Sequence, residues 1–139
     1  MSHQCEKSDV YNIVYYLIQD RKMDPGLLFT LLDFFWPTFI EKDGYVFLEN
    51  TFDEQAYMMT IDLKSNPELW INLLTFEGYF SELPYWEEMS IFFAQALIPI
   101  WQAKLQRDFP ERRFTVRHLC DKEVGGYGLT FFQTKDCTH

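Results

Sequence analysis

Each histidine of the chain lies two residues from a cysteine, which gives the pairs His3 with Cys5, His118 with Cys120, and His139 with Cys137. Residues i and i+2 of a β-strand share one face, so a strand through His118 and Cys120 would offer two ligands to one zinc ion. Structural zinc sites usually use Cys-x-x-Cys or longer spacings. Chance pairing is therefore favoured, no cofactor is predicted, and a metal-binding protein using these His-x-Cys pairs is kept as an alternative.

Nucleophilic catalysis is the other chemistry to which these residue types point. It needs a serine or cysteine beside a histidine that a third group orients. Cys120 and His118 form the nearest such pair, but two side chains on one strand face are poorly placed for in-line proton transfer. A buried or edge-strand cysteine is the simpler interpretation, so we predict no catalytic residue.

The carboxylates also lack a spacing that demands acid/base catalysis. Helix dipoles and turn preferences account for the acidic residues that begin helices or lie in turns. The glycine-rich segment 124–128 matches no phosphate-binding motif and precedes a strand, so we expect a hairpin loop that presents Tyr127. The carboxylate groups concerned are Glu41, Asp43, Glu49, Asp53 and Glu54 around a predicted hairpin, and Glu82, Glu87 and Glu88 near the start of a long helix.

Charge is distributed unevenly along the 139 residues. Residues 1–100 contain 16 acidic and 5 basic residues, a net charge of −11, whereas residues 101–139 contain 5 acidic and 7 basic ones. An acidic body repels nucleic-acid phosphates and attracts a basic protein partner. We therefore expect no binding to nucleic acid. The low, odd cysteine count and the lack of a secretion signal predict a cytoplasmic protein, and the lack of a long apolar run predicts that it does not bind a membrane.

Aromatic residues make up 19% of the chain, more than a core of this size needs. Aromatic side chains dominate protein interfaces because they bury a large area at low entropic cost. A tightly packed aromatic core explains the surplus equally well. If part of it lies at the surface, the residues expected to bind a partner are Tyr11, Tyr15, Tyr45, Tyr79 and Tyr127.

The elements that must position these residues follow from periodicity and capping signals. Five helices are predicted to begin near Asp9 (with Ser8 as the alternative cap), Pro25, Asp53, Pro67 and Pro84. The segment Tyr57–Leu63 also alternates like a strand, and helix is favoured. The predicted inner face of the fourth helix is Leu69, Trp70, Leu73 and Leu74. That of the fifth, in which Pro99 should cause a kink or break, is Trp86, Met89, Phe93, Ala96, Leu97 and Ile100.

Two hairpins complete the pattern. Asp43-Gly44 between apolar runs is a strong turn signal, and the segments 114–119 and 129–133 have strand composition. The blocks WQAKLQRDFPERRFTV (Trp101–Val116) and GYGLTFFQ (Gly126–Gln133), with FWPTFIEKDGYVFL ending at Leu48, resemble a group of small uncharacterised bacterial α+β proteins. The resemblance implies a bacterial origin and a helix that leads into a C-terminal hairpin, and it implies no activity.

Together these observations predict one α+β domain over residues 1–139, with helices packed on a small, mostly antiparallel sheet built from hairpins. The first and last few residues are expected to be flexible. The favoured function is a non-enzymatic, acidic protein-binding module of the immunity or adaptor type, with a homodimer also allowed. The alternative is an enzyme or small-ligand binder whose pocket, between helices and sheet, gathers carboxylates and His118.

Overall fold

The computed structural model describes residues 4–76, 82–121 and 126–134. These residues form five helices: α1 (Gln4–Gln19), α2 (Pro25–Phe35), α3 (Glu54–Asp62), α4 (Pro67–Ile71) and α5 (Trp86–Asp108). They also form five strands: β1 (Phe39–Lys42), β2 (Tyr45–Leu48), β3 (Leu74–Thr75), β4 (Phe114–Asp121) and β5 (Gly126–Gln133). The predicted α+β class is confirmed. Among the helices described, none combines the length and the apolar character that crossing a membrane requires.

The chain divides into two compact units, residues 1–34 and residues 35–139. In the first unit, α1 begins at Gln4, before the predicted cap at Ser8 or Asp9. α2 begins at Pro25 as predicted, because the carboxylate of Asp24 accepts a hydrogen bond from the backbone N–H of Gly26 (2.9 Å). Residues 9–34 include no buried side chain, so the described part of this unit has no core of its own. The predicted flexible ends, residues 1–3 and 135–139, lie outside the described residues.

Two antiparallel sheets form the frame of the second unit. β1 and β2 pair across the two-residue turn Asp43-Gly44, whose φ angles are +53° and +86°, as the Asp-Gly signal predicts. In the other sheet β5 lies between β3 and β4, and β4 pairs with β5 along its whole length. Both predicted hairpins are thus confirmed. The expected single sheet is instead two sheets, and the two-residue strand β3 was not predicted.

The core of the second unit forms where α5 packs against β4 and β5. Trp101 of α5 is buried edge-on against Phe131 of β5, with 6.1 Å between the ring centroids. A second apolar cluster joins Phe47 of β2, Tyr57 of α3 and Ile71 of α4.

The buried face of α5 differs from the predicted one. Met89 and Ala96 are exposed, whereas the buried positions are Ser90, Ala94, Leu97, Trp101, Lys104 and Leu105. Lys104 accounts for part of the difference, because its ammonium forms an ion pair with Asp108 and lies 5.2 Å from the centre of the Phe39 ring. A paired lysine can therefore be buried where periodicity assigns only apolar residues. The helix continues through Pro99, so the expected break is absent.

The middle helices correct a second prediction. α3 begins after Asp53, whose carboxylate accepts from the Ala56 N–H (2.9 Å), and helix is confirmed over its length. α4 is only one turn and a half long, and Trp70 is exposed instead of packed in the core. Its buried residues are Pro67, Glu68 and Ile71, and Leu74 belongs to β3. The predicted apolar face was wrong because polar side chains of α4 bind backbone elsewhere in the fold.

Candidate functional site

α4 and its C-cap present two buried polar side chains one helical turn apart, Glu68 and Asn72. Asn72 is fully buried. Its Oδ1 accepts from the Leu48 N–H (2.9 Å), and its Nδ2 donates to the carbonyls of Val46 (3.0 Å) and Phe131 (3.2 Å). One amide side chain therefore satisfies backbone groups on the edges of both β2 and β5.

Glu68 does the same with its carboxylate. Oε2 accepts from the Val46 N–H (2.8 Å) and from Nε2 of Gln133 (2.6 Å), and Oε1 accepts from the Gln133 N–H (2.7 Å). Only 3% of the residue is exposed. Because both oxygens already accept hydrogen bonds from the fold, Glu68 is not available for acid/base catalysis. Together Glu68 and Asn72 close the free edges of two strands that would otherwise invite pairing with another chain.

A cleft of about 720 Å³ opens beside this bridge, lined by the hairpin turn, the α3–α4 connection and the end of β5. Its polar groups are largely engaged. Asp43 accepts from the Tyr57 hydroxyl (2.6 Å), and this bond together with burial raises the pKa of Tyr57 to about 12. Gln133 donates to the Gly44 carbonyl (2.8 Å) as well as to Glu68. His118 is not among the lining residues, so the cleft lacks the set of groups expected for a catalytic pocket.

His118 lies on β4, where its ring stacks on Tyr127 of β5 with 5.9 Å between centroids. The Tyr127 hydroxyl donates to Glu87 of α5 (3.0 Å). Burial lowers the pKa of His118, and its Nε2 has no hydrogen-bond partner among the described residues. The imidazole is therefore neutral at neutral pH, and no carboxylate of the described residues is bonded to Nε2.

The His/Cys pairs are only partly within the described residues. His118 and Cys120 lie two residues apart on β4, as predicted, but the side chain of Cys120 is not described. His3, Cys137 and His139 lie outside the described residues, as does the side chain of Cys5. The described part of the chain contains no group of three His, Cys, Asp or Glu side chains placed to hold a metal ion. Metal binding by the pairs therefore stays a prediction.

The five tyrosines proposed as partner contacts lie in different environments. Tyr11 and Tyr15 are exposed on α1. Tyr45 is half-buried and packs against Phe47 and Tyr57, and Tyr127 is half-buried in the contacts given above. Tyr79 lies outside the described residues. The side chains of Tyr11 and Tyr15 are therefore accessible to a partner, whereas Tyr45 and Tyr127 stabilise the interior of the second unit.

An apolar surface that sequence reasoning missed lies on α3. Met58, Met59 and Leu63 are 52%, 63% and 70% exposed. We call these three residues, with the exposed Asp62 between them, the α3 surface. They belong to the segment 43–63, which contains five carboxylates and no lysine or arginine. The sequence signal of this surface is the Met-Met pair within an acidic segment, whereas the aromatic surplus indicated tyrosines.

Comparison with protein-family models, with curated proteins and with solved structures gives no match to this chain. The resemblance to small bacterial α+β proteins therefore stays a prediction from the quoted segments.

Proposed function

We propose that this protein is a non-enzymatic binding module, of the immunity or adaptor type, that docks a basic protein partner on the α3 surface. The observation that supports this proposal is the coincidence of three exposed apolar side chains with the segment 43–63, which contains five carboxylates between the flanking Lys42 and Lys64. Contiguous exposed apolar residues mark interaction sites on proteins that are otherwise well packed. A bacterial origin and a cytoplasmic location are parts of the same proposal.

The chemistry of the α3 surface specifies the kind of partner. Methionine side chains are flexible and polarisable, so Met58 and Met59 can adapt to the shape of an apolar residue that enters between them. Met59 and Leu63 lie one turn apart and share a side of the helix. Asp62 is exposed within this surface, and its charge speeds the encounter with a basic protein and disfavours an acidic one.

The helix itself is held rigidly, which suits a docking surface. Tyr57 anchors α3 in the apolar cluster, and its hydroxyl bonds to Asp43 at the hairpin turn. Lys42 forms an ion pair with Glu54 at the start of the helix (3.4 Å). A preorganised helix loses little conformational entropy on binding, so more of the contact energy contributes to affinity.

The test is capture from a lysate of the native host, with the full chain as bait, at low and high ionic strength. The wild type is compared with Met58→Gln/Met59→Gln/Leu63→Gln and with Asp62→Lys. Matched controls make the same kinds of change elsewhere, Phe29→Gln on α2 and Glu111→Lys after α5. Both control positions are exposed.

We expect a basic protein that is retained at low ionic strength, released at high ionic strength, lost from both α3 variants and kept by both controls. Capture that is the same for the wild type and the α3 variants, or that does not depend on salt, would contradict the proposal.

A further inference from the structure

α5 exposes an apolar stripe that runs from its N-cap to Ala103. Tyr85, at the N-cap, and Phe92 are 69% and 75% exposed, and Met89 is exposed between them. The stripe continues with Ala96, Pro99 and Ala103, all exposed. At 100° per residue these six positions fall within about 80° of the helix circumference and extend over about 27 Å. A stripe this narrow and continuous is typical of a helix that pairs with another helix.

We infer that this stripe, which does not include the α3 surface, is the contact of a symmetric homodimer in which α5 pairs antiparallel with α5 of a second copy. Its large side chains lie in the N-terminal half and its small ones in the C-terminal half. The six residues form three pairs of one large and one small residue, and the two members of each pair lie the same number of residues before and after Ala94. A two-fold axis near Ala94 therefore places Tyr85 opposite Ala103, Met89 opposite Pro99, and Phe92 opposite Ala96 of the second copy.

The surface beside the small residues is concave. Pro99 and Ala103 line a groove of about 610 Å³, together with Gln102, Gln106 and Phe114. In the antiparallel pair, Tyr85 of the second copy lies level with this groove and can enter it. Interfaces take most of their affinity from such aromatic anchors in pockets. The same patch thus carries both the projecting side chains and the groove that receives them, as a two-fold contact requires.

The distribution of charge along α5 favours antiparallel pairing with a second copy of the chain. Glu82, Glu87 and Glu88 lie at the N-terminal end of the helix, and residues 65–103 contain no lysine or arginine. At the C-terminal end the Arg107 side chain is 67% exposed and forms an ion pair with the less exposed Asp108 (3.7 Å). Antiparallel pairing brings the acidic end of each helix to the Arg107 end of the other and opposes the two helix dipoles favourably. Parallel pairing would place the acidic ends together.

Sedimentation velocity on the full chain tests the inference. One helix pair is at the low end of interface sizes, so we expect a dimer of twice the 16.8 kDa chain mass that forms in the micromolar range. Phe92→Glu should weaken dimerisation at least about tenfold, because it places a carboxylate near its own symmetry mate. Gln55→Glu on α3 makes the same charge change outside the stripe and should leave the dimer unchanged.

A size exchange tests the pairing of residues. Tyr85→Ala and Ala103→Tyr should each weaken the dimer, and the double variant should restore it, because every large side chain again faces a small one. Circular dichroism of each variant checks that the fold is retained. A wild type that stays monomeric at about 100 μM, a dimer that withstands Phe92→Glu, or a double variant as weak as the single ones overturns the inference.

Discussion

Replacing Asn72 by leucine removes the polar groups that join the edges of β2 and β5 while keeping the number and branching of the side-chain heavy atoms. Three buried backbone groups then lose their partner: the Leu48 N–H and the carbonyls of Val46 and Phe131. A buried polar group left without a hydrogen bond costs about 1–3 kcal/mol. Allowing for relaxation, we expect Asn72→Leu to lower the free energy of unfolding by about 3–6 kcal/mol, a large part of the 5–15 kcal/mol that typical domains have.

Urea unfolding followed by far-UV circular dichroism measures this loss. Asn50→Leu, at an exposed position in the turn after β2, is the matched control and should change stability by less than about 0.5 kcal/mol. Amide hydrogen exchange adds a local readout, because the Leu48 N–H should lose protection in Asn72→Leu. A loss of stability below about 1 kcal/mol, with the Leu48 amide still protected, would refute the view that Asn72 bridges the strands.

Three further predictions concern single contacts of the second unit. Tyr57→Phe removes the bond to Asp43 and should cost about 1 kcal/mol at neutral pH. Because Tyr57 ionises at about 12 in the fold and near 10 when unfolded, the wild type should lose stability as pH rises above 10, and the variant should lose less. Burial holds the pKa of His118 below 6.5. The contribution of the neutral imidazole to stability is therefore complete above pH 6.5 and is lost as the pH falls towards the folded pKa. His118→Phe should flatten the acid side of the profile of stability against pH, and parallel profiles for the two proteins would contradict this. Gly128→Ala places a Cβ 2.9 Å from the Leu74 carbonyl oxygen and should cost about 1–3 kcal/mol in a thermal melt.

Short-range signals predicted the parts of the fold that local chemistry determines. Asp43-Gly44 predicted the β1–β2 turn because few residue pairs adopt positive φ at both positions. The pairs Asp24-Pro25 and Asn66-Pro67 predicted the starts of α2 and α4, where a side-chain oxygen accepts from a backbone N–H of the first turn.

Long-range polar contacts explain what periodicity could not predict. Glu68 and Asn72 are buried because they bind strand edges that come from distant parts of the sequence. Lys104 is buried because Asp108 and the Phe39 ring offset the loss of hydration. A pattern of apolar residues carries no information about such partners, so the predicted inner faces were wrong at Met89 and Ala96 of α5 and at Trp70 of α4.

For the α3 surface, the sequence predicted the acidic charge but not the exposed apolar residues. The acidic character of residues 1–100 pointed to a basic partner, and α3 lies within that region. The apolar component was assigned to tyrosines, although Tyr45 packs inside the second unit. The exposed large apolar side chains in α3 and at its C-cap are Met58, Met59, Ile61 and Leu63. Exposure depends on which face of α3 the Tyr57 cluster covers, and the sequence alone does not specify that face.

Hydrogen exchange of the chain alone and with its captured basic partner tests the proposed function most directly. We expect new protection over α3, Glu54–Asp62, with β4 and β5 unchanged. The same experiment with Asp62→Lys should show no new protection at α3. Protection that appears only elsewhere in the chain, with α3 exchanging as in the free protein, would contradict the assignment of α3 as the docking surface.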